Sequence, residues 1–183
     1  MGKLHEKLDK KMIEFIEAQK LFFVTTAPTN GRLSLSPKGL DTLRVLGENK
    51  IAYLDLTGSS SETAAHLREN GRITIMFCAF EGSPLVLRTY GTGRVIRRSD
   101  PEWESTYKLF NPLTGARHIF IIEISSVQTS CGYGVPIYNY EGERPELSKW
   151  LEDKGEDGVK EYWKKKNTES IDGIPTKIFG DEE

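Results

Sequence analysis

The chain begins with a helical pattern of apolar residues. Its early apolar positions recur every three or four residues, with lysines and glutamates between them. That spacing predicts an amphipathic first helix that buries one of its faces. The apolar positions are Leu4, Leu8, Met12, Phe15 and Ile16.

Six later segments have the composition or the alternation that is typical of β-strands. Asn30-Gly31 separates the first two and predicts a hairpin. The segment 72–80 has little polar interruption, which predicts burial on both faces, and the glycines of the following strand suit a bulge or a barrel bend. The turn-rich stretch 36–49 is expected to cross over without a strand. The six segments are residues 21–26, 32–36, 50–56, 72–80, 84–96 and 118–130.

Two helices are predicted between these strands. The first covers residues 60–70, and Ser59 and Glu62 have the spacing of a capping box at its start. In a capping box the Glu62 carboxylate turns back to the backbone N–H of Ser59. The second helix has Asp100 as its N-cap and a proline at its first position, and it ends at Asn111-Pro112.

The charged tail carries scattered apolar residues and is predicted to form two short helices, broken at 154–158. We therefore expect a main domain over 1–145, which includes the first helix, and a C-terminal helical extension over 146–183 that packs on it. Hairpin-linked strands with few helices predict a mainly β (α+β) fold, a small barrel of about six strands with peripheral helices.

Composition narrows the classes of function. The 183 residues carry a net charge of −2, so no global basic field favours nucleic acid or an anionic membrane. No apolar run approaches the roughly 20 residues of a membrane span. Cys78 and Cys131 are expected to be reduced thiols in a cytoplasmic protein, and the spacing of the histidines and cysteines predicts no metal site.

The segment "DLTGSSSETAAHL" (55–67) concentrates hydroxyl side chains where a strand gives way to a helix. Two interpretations are open. Serine and threonine are common at helix N-caps, so the cluster fits a solvated turn. A helix N-terminus also carries unpaired N–H groups and a partial positive charge, so the cluster equally fits a site for an anionic group such as phosphate.

Three segments together resemble the pyridoxamine 5′-phosphate oxidase-like superfamily, whose members are flavin-binding split β-barrels. They are "LSLSPKGLDTL" (33–43), "AYLDLTGSSSETAAHLRENGRITIMFCAFEG" (52–82) and "LRTYGTGRV" (87–95). The resemblance covers about residues 18 to 135. It implies a six-stranded split barrel and a homodimer that holds FMN between its two barrels.

The resemblance also implies which residues contact the cofactor. The phosphate would lie at the end of one strand and the start of the short helix. The ribityl chain and isoalloxazine would run beside the segment 36–39, and a following strand would form part of the floor. The implied residues are Ser36, Pro37, Lys38, Gly39, Asp55, Thr57, Gly58, Ser59, Ser61, Glu62, Thr63, Phe77 and Cys78.

The chain departs from the oxidases of the family at two places. The true oxidases have an Arg-Lys pair where this chain has Glu62-Thr63, so the positive charge must come from elsewhere. Lys38 is the first candidate and Arg88 the second. The basic C-terminal segment that holds the substrate phosphate in those oxidases is also missing, so pyridoxamine phosphate is not expected to be the substrate.

The leading expectation is an FMN-dependent oxidoreductase that acts on a small molecule through flavin N5. No residue is marked by spacing as a general acid or base. One alternative is a flavin-binding protein without turnover, such as a sensor. Another is the same fold with the deazaflavin F420 or haem, which relatives of this barrel also carry. Neither a nucleic acid nor a membrane is expected as a partner.

Overall fold

The structure is a computed structural model that describes residues 2–180. Met1 and 181–183, the last residues of the predicted extension, lie outside the described residues. Eight strands and four helices occupy this part of the chain. They are β1 (Lys3–His5), α1 (Lys10–Ala18), β2 (Phe22–Thr26), β3 (Ser34–Lys38), β4 (Leu43–Gly47), β5 (Lys50–Leu56), α2 (Glu62–Glu69), β6 (Arg72–Cys78), β7 (Val86–Arg97), α3 (Trp103–Tyr107), β8 (Ala116–Ser130) and α4 (Glu146–Lys166).

The strands form one antiparallel sheet that curls into a split barrel, which confirms the predicted fold. The strand order is β3-β2-β6-β7-β8-β5-β4. The long β8 pairs with β7 along one edge, and its other edge pairs first with β5 and then with β1. Strand β8 therefore joins the two halves of the barrel, and its first residues lie beside the end of β5.

The barrel interior is packed with apolar side chains. Tyr53, Phe77 and Phe120 are almost completely buried there, and Phe22 packs edge-on against Tyr53 with ring centroids 5.8 Å apart. A second cluster forms where Trp103 covers the outer face of β8. Burial of a large apolar side chain contributes about 1.5–3 kcal/mol, so these two clusters hold the strands that carry the site.

Two strands were missed by the sequence pattern, and the described residues contain eight strands rather than six. Strand β4 lies in the stretch 36–49 that was expected to cross over without a strand. Its side chains are half-buried or exposed, so it has neither clear alternation nor a continuous apolar run. Strand β1 includes Leu4, which is 73% exposed and does not belong to the first helix. Helix α1 begins only after Asp9, whose carboxylate accepts a hydrogen bond from the Met12 N–H at 2.8 Å.

Strand β7 has a register shift at Tyr90/Gly91, as its glycines predicted, and a Cβ at Gly91 would collide with the backbone oxygen of Glu123. Strand β6 was expected to be buried on both faces. Instead it alternates, with Ile73, Ile75 and Phe77 buried and Thr74 and Met76 half-buried, because only one of its faces lines the barrel core.

The predicted helix after Asp100 is shorter than expected. Helix α3 begins at Trp103, and the Asp100 carboxylate accepts the Arg97 N–H at 2.8 Å instead of capping a helix. Residues 101–102 form a turn before the helix. Phe110, which lies beyond the end of the helix, is nevertheless buried against the same core.

Helix α4 consists of two helices separated by a break, as the sequence predicted. Gly155 has φ 64° and ψ 174°, a conformation that glycine adopts without strain. Leu151, Val159 and Trp163 form a small core with Ile178 from the segment that follows the helix. Within residues 2–180, no helix is both long and apolar enough to cross a membrane.

Candidate functional site

A small polar cleft lies between β3 and the start of α2, and we call it the cradle cleft. Strand β5 ends at Leu56, the chain turns through 57–61, and α2 begins at Glu62, so strand end and helix start form one wall. Its volume is about 170 Å³. The lining residues are Ser34, Ser36, Lys38, Asp55, Leu56, Gly58, Ser59, Ser60, Ser61, Glu62, Thr63, Ala64 and Arg117.

A buried ion-pair network forms the floor of the cradle cleft. Asp55 Oδ2 accepts hydrogen bonds from Arg117 Nε at 2.9 Å and Nη2 at 2.8 Å. Lys38 Nζ lies 3.4 Å from the other carboxylate oxygen, and His118 Nδ1 lies 3.4 Å from Oδ2. Burial alone would raise the pKa of Asp55, but Arg117, Lys38 and His118 outweigh it and hold that pKa far below its usual range. Asp55 is therefore ionised and orients Arg117.

Two hydrogen-bond donors in this cleft are buried without a partner in the described part of the chain. They are Arg117 Nη1 and the hydroxyl of Ser61, and each residue is 3% exposed. Ser61 directly precedes α2 and its side chain does not cap the helix, so the first N–H groups of α2 also lack a side-chain partner. Buried donors without acceptors cost free energy, and an anion in the cleft would satisfy them.

The capping box predicted at the start of α2 does not form. Glu62 Oε1 accepts the backbone N–H of Ile171 at 2.9 Å, so the carboxylate turns to the C-terminal segment and not back to Ser59. Its other oxygen lies 3.7 Å from His66 Nε2. A tertiary contact 109 residues away in sequence has thus replaced the local one.

The hydroxyl of Thr57 makes its hydrogen bonds to other residues of the protein. Thr57 Oγ1 donates to the carbonyl oxygen of Gly115 at 2.9 Å and accepts from Trp163 Nε1 at 2.9 Å. Thr57 is 4% exposed and does not line the cradle cleft. Its position in the turn is therefore fixed by two hydrogen bonds from outside α2.

The structure gathers most of the sequence-predicted residues in one place. Eight of the implied residues line the cradle cleft: Ser36, Lys38, Asp55, Gly58, Ser59, Ser61, Glu62 and Thr63.

The other predicted residues lie elsewhere. Gly39 and Phe77 line a neighbouring cleft of about 480 Å³ at the end of the barrel, and Pro37 is exposed on the opposite face of β3. Arg88 Nη1 lies 3.4 Å from Ser130 Oγ, away from the cradle cleft. Burial raises the pKa of the Cys78 thiol, with Arg88 opposing it.

Sequence reasoning missed Arg117 and His118. Strand β8 pairs with β5 so that His118 lies opposite Asp55, which places both basic side chains beside the carboxylate. The available signal was a basic pair at the start of an otherwise apolar strand. Such residues are rarely fully buried unless they are paired, so their position predicts a buried acidic partner.

A second cleft has a different character, and we call it the aromatic cleft. It lies between the end of α1, β2 and the loop after β8, and its volume is about 580 Å³. Phe80 and Tyr138 stack in its wall with ring centroids 5.6 Å apart. The remaining lining residues are Ala18, Gln19, Lys20, Leu21, Phe23, Glu81, Pro136, Asn139 and Tyr140.

The fold and the cradle cleft define a split-barrel protein with a small polar cleft at a strand-to-helix turn. A model of the pyridoxamine 5′-phosphate oxidase family matches residues 8–131. The pyridoxamine 5′-phosphate oxidase family protein ustO of Aspergillus flavus is 40% identical over 191 residues, which cover 93% of this chain and 76% of that protein. The chain therefore belongs to the pyridoxamine 5′-phosphate oxidase family.

Two solved structures share the fold at lower identity. HupZ of Group A Streptococcus is 20% identical, with a TM-score of 0.53 over 66% of this chain and 91% of that chain. A pyridoxamine 5′-phosphate oxidase candidate from Lactobacillus delbrueckii is 16% identical, with a TM-score of 0.53 over 67% of this chain and 94% of that chain. At these identities the likeness shows the barrel alone.

Proposed function

We propose that this protein binds FMN, with the flavin phosphate in the cradle cleft, and acts as an oxidoreductase. The observation that carries the proposal is a pair of buried donors beside the start of α2, Arg117 Nη1 and Ser61 Oγ, for which the described residues offer no partner. Phosphate supplies several acceptor oxygens and negative charge in one small group. It therefore matches both the donors and the helix terminus.

The charges of the floor favour the same ligand. Arg117 and Lys38 are two cations that face the single carboxylate of Asp55, so this floor has a net charge of about +1, which the carboxylate of Glu62 in the wall of the cleft opposes. Arginine donates to phosphate in a fixed geometry, and lysine acts as a point charge. Arg117 thereby takes the place of the basic pair that this chain lacks at positions 62–63.

The flavin ring would extend from the cradle cleft along β3, past Lys38 to Gly39, where the neighbouring cleft of about 480 Å³ begins. A homodimer would cover this edge strand, where Leu35 and the preceding Leu33 are 60% and 65% exposed. Bound flavin supplies hydride and electron transfer at N5 to or from a small molecule. The residues of the chain bind the phosphate, neutralise it and fix the orientation of the cofactor.

The absorbance spectrum of purified protein, taken after incubation with FMN and desalting, tests the proposal. Retained flavin bands in the wild type are expected. If the protein neither carries FMN nor takes it up at micromolar concentration, the proposal is wrong. Deazaflavin F420 also presents a phosphate, so the same cleft suits it, and its spectrum and that of haem differ from that of FMN.

Turnover is tested separately on the loaded protein. Addition of NADH or NADPH should bleach the flavin bands, and air should restore them, if the protein is an oxidoreductase. A protein that retains FMN but is reduced by neither nucleotide nor by a panel of small organic donors would instead be a flavin-binding or sensor protein.

A further inference from the structure

We propose that the C-terminal extension positions the phosphate-binding turn, with Trp163, Asn167 and Ile171 as positioning residues. This inference rests on the proposed function, because the turn 57–62 is taken to hold the phosphate. All three residues lie outside the stretch 8–131 that matches the family model. Their hydrogen bonds end on Thr57, Gly58 and Glu62, which together span the turn and the start of α2.

Trp163 fixes the first residue of the turn. Its indole N–H donates to Thr57 Oγ1 at 2.9 Å, and the two residues are 3% and 4% exposed. The Thr57 hydroxyl in turn donates to the carbonyl oxygen of Gly115, which also accepts the Thr57 N–H at 2.9 Å. Because Leu151 of the extension packs directly on Gly115, the extension supports Thr57 from both sides.

Asn167 fixes the next residue. Its side-chain amide donates to the carbonyl oxygen of Gly58 at 3.1 Å, and Asn167 is completely buried. The carbonyl oxygen of Asn167 accepts from Thr176 Oγ1 at 2.6 Å. Residues 57–61 contain no regular structure, and Gly58 has no side chain of its own, so this contact restricts a backbone that would otherwise have many conformations.

Ile171 controls the acidic side chain of the turn. Its N–H holds Glu62 Oε1 at 2.9 Å, and Asp172 is itself paired with Arg32 at the tip of the β2–β3 hairpin. A freely rotating Glu62 would bring a second negative charge towards the phosphate. The extension thus preorganises the donors of the cleft and restrains the group that opposes binding.

The test compares two Trp→Phe variants in the full chain. Trp163→Phe removes the donor to Thr57, whereas Trp150→Phe changes the same residue type in the same small core, where Trp150 has a ring contact with Tyr162. The probes are FMN and riboflavin, which lacks the phosphate. Trp163→Phe should lower the affinity for FMN about fivefold, which corresponds to one typical hydrogen bond. It should change the affinity for riboflavin by less than twofold. Trp150→Phe should change neither affinity by more than twofold.

Thr57→Val completes a double-mutant cycle because it removes the acceptor of the same bond. If Trp163 acts through Thr57, the double variant should bind FMN no more weakly than Thr57→Val alone. Independent, multiplying losses would overturn the assignment of Trp163. Equal weakening of FMN and riboflavin in Trp163→Phe would also overturn it, since the extension would then stabilise the whole fold and not the phosphate turn.

A second measurement separates this inference from the proposed function. Hydrogen exchange of peptides that cover 57–62 should be faster in Trp163→Phe than in the wild type and in Trp150→Phe, without any ligand. If the wild type binds neither flavin while exchange still changes in this way, the proposed function is wrong, but the extension does position the turn. Unchanged exchange would overturn the inference that the extension positions the turn.

Discussion

The cradle cleft and the aromatic cleft differ in their buried hydrogen-bond donors. In the aromatic cleft the Tyr140 N–H donates to Glu81 at 3.0 Å, the Tyr138 N–H donates to the Phe80 carbonyl at 3.0 Å, and Lys20 lies over the Tyr140 ring. The cradle cleft has less than a third of the volume yet contains two buried donors that have no partner within residues 2–180. Unsatisfied donors, and not size, therefore distinguish the better candidate for a phosphate site.

The two clefts also differ in the charge beneath them. The floor of the cradle cleft is a network in which Asp55 and Arg117 are both 3% exposed on their side chains. Removing two charges from water costs free energy, so a buried ion pair is weak evidence that the pair stabilises the fold. The position of this pair beside a cleft fits a functional role. Substitutions in this network and at the two donors should therefore change both the stability of the protein and its affinity for FMN.

Asp55→Asn is expected to produce the largest effect. It leaves the Arg117 guanidinium buried without its counter-charge, and loss of one partner from a buried pair costs about 3–5 kcal/mol in the free energy of unfolding. Urea unfolding followed by circular dichroism measures this loss. Asp41→Asn is the matched control, because Asp41 pairs with Arg44 but its side chain is 58% exposed. That variant should lose at most about 1 kcal/mol. Similar losses in both variants would contradict a buried network.

Lys38→Met is expected to have the next largest effect, on binding. Lys38 contributes the second cation of the floor, and a charge-assisted hydrogen bond contributes about 1.5–3 kcal/mol, so the dissociation constant for FMN should rise roughly 10- to 100-fold. Quenching of flavin fluorescence measures the constant. Lys50→Met is the control, since Lys50 pairs with Glu123 on the exposed surface. An unchanged FMN affinity in Lys38→Met would show that Lys38 serves only to neutralise Asp55.

Sequence reasoning found what is encoded locally and missed what depends on pairing across the barrel. The bounds of β5 were predicted correctly because its residues form a compact block of β-formers, and the break at Gly155 was visible as a glycine-rich interruption. Arg117 could not be placed near Asp55, because the two are 62 residues apart and meet only through the β5–β8 register. The capping box failed for the same reason, since Ile171 competes for Glu62.

The titration of His118 should contribute to the pH dependence of the free energy of unfolding. Burial lowers the pKa of His118 below its usual value, although the hydrogen bond to Asp55 opposes this. The unfolded chain therefore binds a proton near pH 6.5 that the folded chain does not. The free energy of unfolding should fall as the pH drops from about 6.5, by at most about 1.4 kcal/mol per pH unit, down to the folded pKa.

His118→Gln tests this assignment because it keeps a polar side chain that can still contact Asp55 but cannot titrate. Its stability should vary less between pH 7 and 5 than that of the wild type. The exposed pair Lys7–Glu48 provides a control, since Lys7→Gln should leave the slope in that range unchanged. A slope that persists in His118→Gln would assign the titration to another group.

The smallest effect is expected from a pair of variants, one in each cleft. Ser61→Ala removes one of the two buried donors of the cradle cleft that lack a partner among the described residues. It should weaken the binding free energy of FMN by about 1 kcal/mol, or roughly fivefold in affinity, while the affinity for riboflavin changes by less than twofold. Tyr138→Ser removes a wall of the aromatic cleft, where the described residues include no buried donor without a partner, so the ratio of FMN to riboflavin affinity should not change. If Tyr138→Ser alters that ratio and Ser61→Ala does not, the phosphate binds beside the aromatic wall and the unpartnered donors have another role.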